Sequence, residues 1–96
     1  MIQVVANDFI KPECVEDFLA LAKIIVAKTN ELDKGCIKYG MVRDIKDPTH
    51  FAMIEEWESQ EDLENHMKSA HFQEIIPQMS VMQAKKSEIC LFEKAF

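Results

Sequence analysis

Hydrophobic and polar positions along the chain change period four times, and each change predicts an element. Ile2, Val4 and Ala6 fall on one side of an extended segment and Val5 keeps the other side apolar, so Ile2 to Phe9 predicts a strand apolar on both faces. Past Pro12, a residue suited to a first helical position, Val15, Phe18, Leu19, Ala22, Ile25 and Val26 recur at helical spacing. Glu13, Glu16 and Asp17 sit at the positive end of that helix, which should stop near Lys34-Gly35. Ile37, Tyr39, Met41 and Arg43 then share one side of a second strand, and a turn at Asp47-Pro48 returns the chain through Phe51 to Trp57 as a hairpin.

Ser59, with Asp62 three residues on, reads as the N-cap of a second helix whose inner face carries Leu63, His66, Met67 and Ala70. Phe72, Ile75, Ile76, Met79 and Met82 continue the helical spacing, and Pro77 should kink or divide this part by removing a backbone donor. Ile89 to Phe92 closes the pattern as a strand. The predicted order β-α-β-β-α-β is that of an α+β, ferredoxin-like domain. Its helices cover one sheet face, while Ala52 and Ile54 repeat on the third strand the two-sided apolar pattern of the first. The second face is therefore expected to be buried against another copy of the chain, making a homodimer.

Ninety-six residues make room for one core, so residues 1–96 form a single domain. The 48% hydrophobic and 29% charged composition is that of a globular chain, and no apolar run reaches the length of a membrane span. Eleven basic against seventeen acidic residues give a net charge of −6, the wrong sign for a nucleic-acid partner. Two glycines cannot form a dinucleotide fingerprint, and neither precedes the Lys-Ser/Thr pair of a phosphate loop. Cys14, Cys36 and Cys90 are scattered and odd in number, which fits a reducing compartment better than a disulfide or zinc framework. With no basic and apolar leader visible, the chain reads as complete and cytoplasmic.

The segment Met53 to Phe72 resembles the signature of the antibiotic-biosynthesis monooxygenase (ABM) family, with Glu55, Trp57, Ser59, Leu63, His66, Ser69, His71 and Phe72 as landmarks. Lys11-Pro12, Gly35-Cys36, Tyr39 and Asp47-Pro48-Thr49-His50-Phe51 extend the resemblance over essentially the whole chain, and Met53 to Ser59 look most like the bacterial quinol monooxygenases. The resemblance implies a dimeric α/β barrel with a pocket between sheet and helices in each protomer. The haem-degrading branch uses an asparagine, a tryptophan and a downstream histidine; Asn7 matches the first, but His66 stands at the tryptophan position and about Ile76 at the histidine position. That departure removes the residue that would ligate iron.

A cofactor-free oxygenase needs a substrate that can itself reduce oxygen once deprotonated, together with a base, a hydrogen-bonding partner and a dry cavity. His66 is the candidate base, since its pKa lies near neutrality, and the residues alone leave open the alternative of a histidine hydrogen-bonded within the core. Asn7 is the candidate orienting group through the family match, the alternative being a strand-end residue bonded to a neighbouring turn. Trp57, Tyr39, Arg43, Met67 and His71 complete the expected substrate-binding set. Of these, Trp57 could equally be a core or barrel residue, Arg43 an ion-pair partner of Glu55, and His71 a capping or surface group. His71 follows His66 by five positions and should point to a different helix face, so no metal site is expected, and no cofactor.

The expected function is thus cofactor-independent monooxygenation of a quinol or related hydroxyaromatic molecule by molecular oxygen. Two other readings remain at this stage. One is isomerisation of a small (phospho)hydroxycarbonyl compound, which needs a cation in the pocket for phosphate, and only Arg43 is available. The other is a non-catalytic protein that binds an apolar metabolite.

Overall fold

A computed structural model describes residues 1–96. Strand β1 (Ile2–Ile10) leads through a short 3-10 turn (Pro12–Cys14) into helix α1 (Val15–Leu32). Strands β2 (Cys36–Arg43) and β3 (His50–Trp57) form the hairpin, followed by helices α2 (Gln60–Lys68) and α3 (Ala70–Ser80) and strand β4 (Gln83–Glu93). The strands make one antiparallel sheet in the order β2-β3-β1-β4, so β1 and β3 are central and β2 and β4 are edges. This is the ferredoxin-like fold, with its second helix in two pieces.

Alternation along β3 is strict: Phe51, Met53, Glu55 and Trp57 are buried beneath the helices while their neighbours are half-buried. On β1, Val4, Ala6 and Asp8 pair with Glu55, Met53 and Phe51 and so share that inner face. Helix α1 inserts Phe18, Ala22 and Ile25 against this surface, and Phe18 and Phe51, both fully enclosed, meet at 5.2 Å. Enclosing a side chain of this size contributes about 2–3 kcal/mol each. Trp57 is expected above in the core or in the barrel between sheets; it lies on the helix side, completely buried within a single chain. The outer face carries Val5, Ala52, Ile54, Val42, Cys90 and Phe92 with nothing over them in one chain.

The helical break lies at Ser69, eight residues before the expected place. Ser69 is extended (φ −65°, ψ 154°), its hydroxyl donates to the His66 carbonyl at 2.6 Å, and it accepts the Phe72 N–H at 3.3 Å. One serine therefore caps the end of α2 and the start of α3. Pro77 is carried inside α3, at the cost of one backbone hydrogen bond. No helix is long and apolar enough to cross a membrane.

Candidate active site

Helix α1 ends at Asp33, whose extended backbone turns the chain while its N–H still bonds the Thr29 carbonyl at 3.1 Å. Gly35 completes the turn at φ +78°, and a Cβ there would clash with the Asp62 side chain, so both backbone and space require glycine. Asp62 is itself fixed by Ser59, which caps α2 as the sequence predicts. This tight join brings the end of α1 against the inner face of α2.

There the Asp33 carboxylate meets two histidines. His66 Nδ1 donates to Asp33 Oδ2 at 2.5 Å, and His71 Nε2 lies 2.9 Å from Asp33 Oδ1, off the axis of a linear hydrogen bond. All three side chains are at most 8% exposed. The separate faces expected for His66 and His71 are corrected by the break at Ser69, which re-aims the second ring. Asp33, His66 and His71 place ligand-type atoms within 4.8 Å of one another and are the residues that could hold a metal. In the arrangement seen, His66 Nδ1 and Asp33 Oδ2 make a charge-assisted hydrogen bond.

Carboxylate contact at Nδ1 fixes the His66 tautomer and leaves Nε2 as the unprotonated nitrogen. Nε2 is buried without a protein partner. The ring is packed by Trp57 at 4.7 Å and by Tyr39 and Phe72 at 5.1 Å each, and burial pulls its pKa below the usual value against the opposing pull of Asp33. His66 is therefore neutral at pH 7, in the state of a base.

The His66 ring forms part of the wall of a cavity of ≈ 250 Å³ between the sheet, α2 and α3. Its walls are mostly aliphatic, thioether and aromatic, with Ala6, Met53, Phe72, Ile76, Met79 and Ile89 among them. Glu55 and Asp8 are the acidic groups on these walls, and no lysine or arginine lines them. Trp57 Nε1 donates to Glu55 Oε1 at 2.9 Å, yet burial dominates and pushes the Glu55 carboxyl up to about 7, with Asp8 adding to the rise. Asp8 Oδ1 accepts from the Ser87 hydroxyl at 2.6 Å and from Gln83 at 3.1 Å; burial raises its pKa too, against the Ser87 hydrogen bond and the nearby His50 ring, which pull it down.

Of the residues expected at the site, His66, Tyr39 and Met67 line the cavity. Trp57 does not reach it but backs both Glu55 and His66. His71 stands behind His66 on Asp33. Asn7 is corrected: it lies on the outer sheet face with Val5, its Oδ1 accepting from His50 at 2.8 Å, because odd positions of β1 point away from the helices. Arg43 is corrected as well. Its guanidinium covers Phe51 at 4.8 Å and borders a separate groove between α1 and β2, away from Glu55 and the cavity. Sequence reasoning missed Asp33, one of seventeen acidic residues, and assigned Glu55 and Asp8 no role in the pocket. A readable signal for the last two was parity, since both alternate with apolar inner-face residues.

Comparison with known proteins bears on this arrangement. The family model described as antibiotic biosynthesis monooxygenase matches residues 1–78. A conserved protein from Methanosarcina mazei Go1 is 38% identical, the match covering 97% of this chain and 91% of that one at a TM-score of 0.93. A structure described as an antibiotic biosynthesis monooxygenase is 35% identical over 99% of both chains, with a TM-score of 0.94. A Mycobacterium tuberculosis protein at 17% identity, covering 99% of this chain and 95% of its own, shares the fold at a TM-score of 0.92. No curated protein matches the sequence. By the family match and by these two relatives above 30% identity, the chain belongs to the antibiotic biosynthesis monooxygenase family.

Proposed function

We propose that the protein is a cofactor-independent monooxygenase that oxidises a quinol or related hydroxyaromatic molecule with molecular oxygen, His66 acting as base. The observation that carries this reading is the buried, unpartnered Nε2 of a histidine whose other nitrogen is anchored on Asp33, in the wall of an apolar cavity. Nε2 takes the proton of a substrate hydroxyl, and the electron-rich anion left behind reduces oxygen. Aliphatic and thioether walls exclude water and suit a flat ring. Tyr39 and Met67 contact the substrate, while Trp57 and His71 act through the groups they support. Burial holds the Tyr39 hydroxyl protonated well above its usual range, so it serves as a hydrogen-bond donor and not as a base.

Isomerisation of a phosphorylated compound fits less well, because Arg43 is outside the cavity and the charged residues inside it are acidic. Oxygen-electrode assays over a panel of quinols, with spontaneous oxidation subtracted, test the oxygenase reading. Oxygen uptake above background with no added metal, flavin or nicotinamide is the expected result, and its absence for every quinol would favour a binding role.

The same reading makes the active form a homodimer through the outer sheet face. Val5, Ala52 and Ile54 at its centre, with exposed Val42 and Phe92 beside them, favour burial against a second sheet. Light scattering should give twice the 11.1 kDa chain mass. Ile54→Asp should shift the protein to monomer or unfold it, since a carboxylate would be placed in a desolvated interface.

A further inference from the structure

We propose that Glu55 is a second ligand-binding post of the cavity, a carboxylic acid that donates a hydrogen bond to a carbonyl oxygen, so that the cavity takes uncharged ring compounds bearing both hydroxyl and carbonyl groups and rejects anions. This rests on the cavity and the role of His66 set out under the proposed function, and extends them to the class of compound selected.

The geometry begins with the placement of Glu55 at the middle of the central strand β3, facing the helices, paired to Val4 on one side and Tyr39 on the other. It is 8% exposed and lines the same cavity as His66. Its Oε1 is tied to the Trp57 indole, whose ring also packs on His66, so a single tryptophan fixes the relative position of the two groups. A charged carboxylate in such a place calls for a cation, and the walls supply none. The groups around it come from every packed element. Asp8 faces it from β1, Tyr39 and Cys36 from β2, His66 from α2, and Asp33 with His71 from behind that histidine; β4 contributes neutral Ser87, Ile89 and Leu91, and α3 lines this side with Phe72, Ile76 and Met79.

The consequence is an inversion of the usual order of acids. Burial raises Glu55 to about 7 and lowers His66, so near neutrality a proton can rest on the carboxyl while the imidazole stays free. One compound can then give a hydroxyl proton to His66 and accept a hydrogen bond from Glu55. Above pH 7 Glu55 becomes an anion beside Asp8 and turns from donor to acceptor, which repels carbonyl oxygens and anions alike.

Isothermal titration calorimetry of the intact protein tests this without turnover, in the absence of oxygen. The probes are 5-hydroxy-1-tetralone, neutral with hydroxyl and carbonyl on two fused rings, and 5-hydroxy-1-naphthoate, of similar shape but anionic. The tetralone should bind and the naphthoate should bind at least ten times more weakly. As the donor form falls from about nine tenths to about one tenth of the protein between pH 6 and pH 8, the tetralone Kd should rise about tenfold. Glu55→Gln keeps a donor and removes the titration, so its tetralone Kd should stay flat over that range. Should the variant fail to fold, the Glu55 carboxyl 13C resonance of the wild type should still titrate near pH 7 and move upward with tetralone bound. A Kd independent of pH, equal affinity for the anion, no binding of the tetralone, or a Glu55 titration at ordinary carboxylate pH would overturn the proposal. Tetralone binding with the expected pH response but no quinol oxidation would count against the oxygenase reading alone.

Discussion

His66→Gln should lower quinol-dependent oxygen uptake by about 10²-fold or more, with a much smaller change in KM. Glutamine keeps approximate size and can still bond Asp33, but it offers no basic nitrogen. The wild-type rate should rise with pH through a histidine pKa held below its usual value by burial, and level off on the alkaline side once the ring is neutral. Uncatalysed quinol oxidation also quickens with pH, so the profile must be read after subtraction. A variant that turns over like wild type would remove His66 from the mechanism.

The second large effect is expected at Asp33, which touches no substrate. Asp33→Asn replaces a carboxylate that accepts from His66 and faces His71 with an amide that has a single acceptor oxygen. The NH2 side, turned toward His66, would favour the proton on Nε2 and so present the cavity with the wrong tautomer. Turnover should fall by roughly 10² or more. The readout that separates this from plain destabilisation is 15N NMR of the His66 ring. Wild type should carry its proton on Nδ1 and the variant on Nε2, measured well below the melting temperature of each. An unchanged tautomer with lost activity would show that Asp33 does something other than orient the ring.

How far the sequence discloses such a site depends on which interactions are local. Strand and helix positions were legible because burial imposes a period, and the β3 residues Phe51, Met53, Glu55 and Trp57 follow it without exception. The Ser59 cap was legible because both partners lie within one turn. Asn7 shows a resemblance and a period in conflict. Alternation put it with Val5 on the outer face, and the structure follows alternation. Asp33 was hidden for the opposite reason: its partners are 33 and 38 positions away, and nothing local distinguishes a helix-ending aspartate that meets them from one that meets water. The break was misplaced because Pro77 is the stronger local signal, while Ser69 acts through hydrogen bonds to both flanking turns.

Ser69 also ties the robustness of this protein to its chemistry. In an unbroken helix, rings five positions apart diverge by about 140°, so His71 would leave Asp33 and the His66 anchor would lose its neighbour. Alanine at position 69 has the higher helix propensity, but it would remove the hydroxyl that closes α2 and opens α3, a loss of about 1 kcal/mol. Selection for melting temperature and selection for turnover should therefore agree here, both keeping a capping side chain where propensity alone would place alanine.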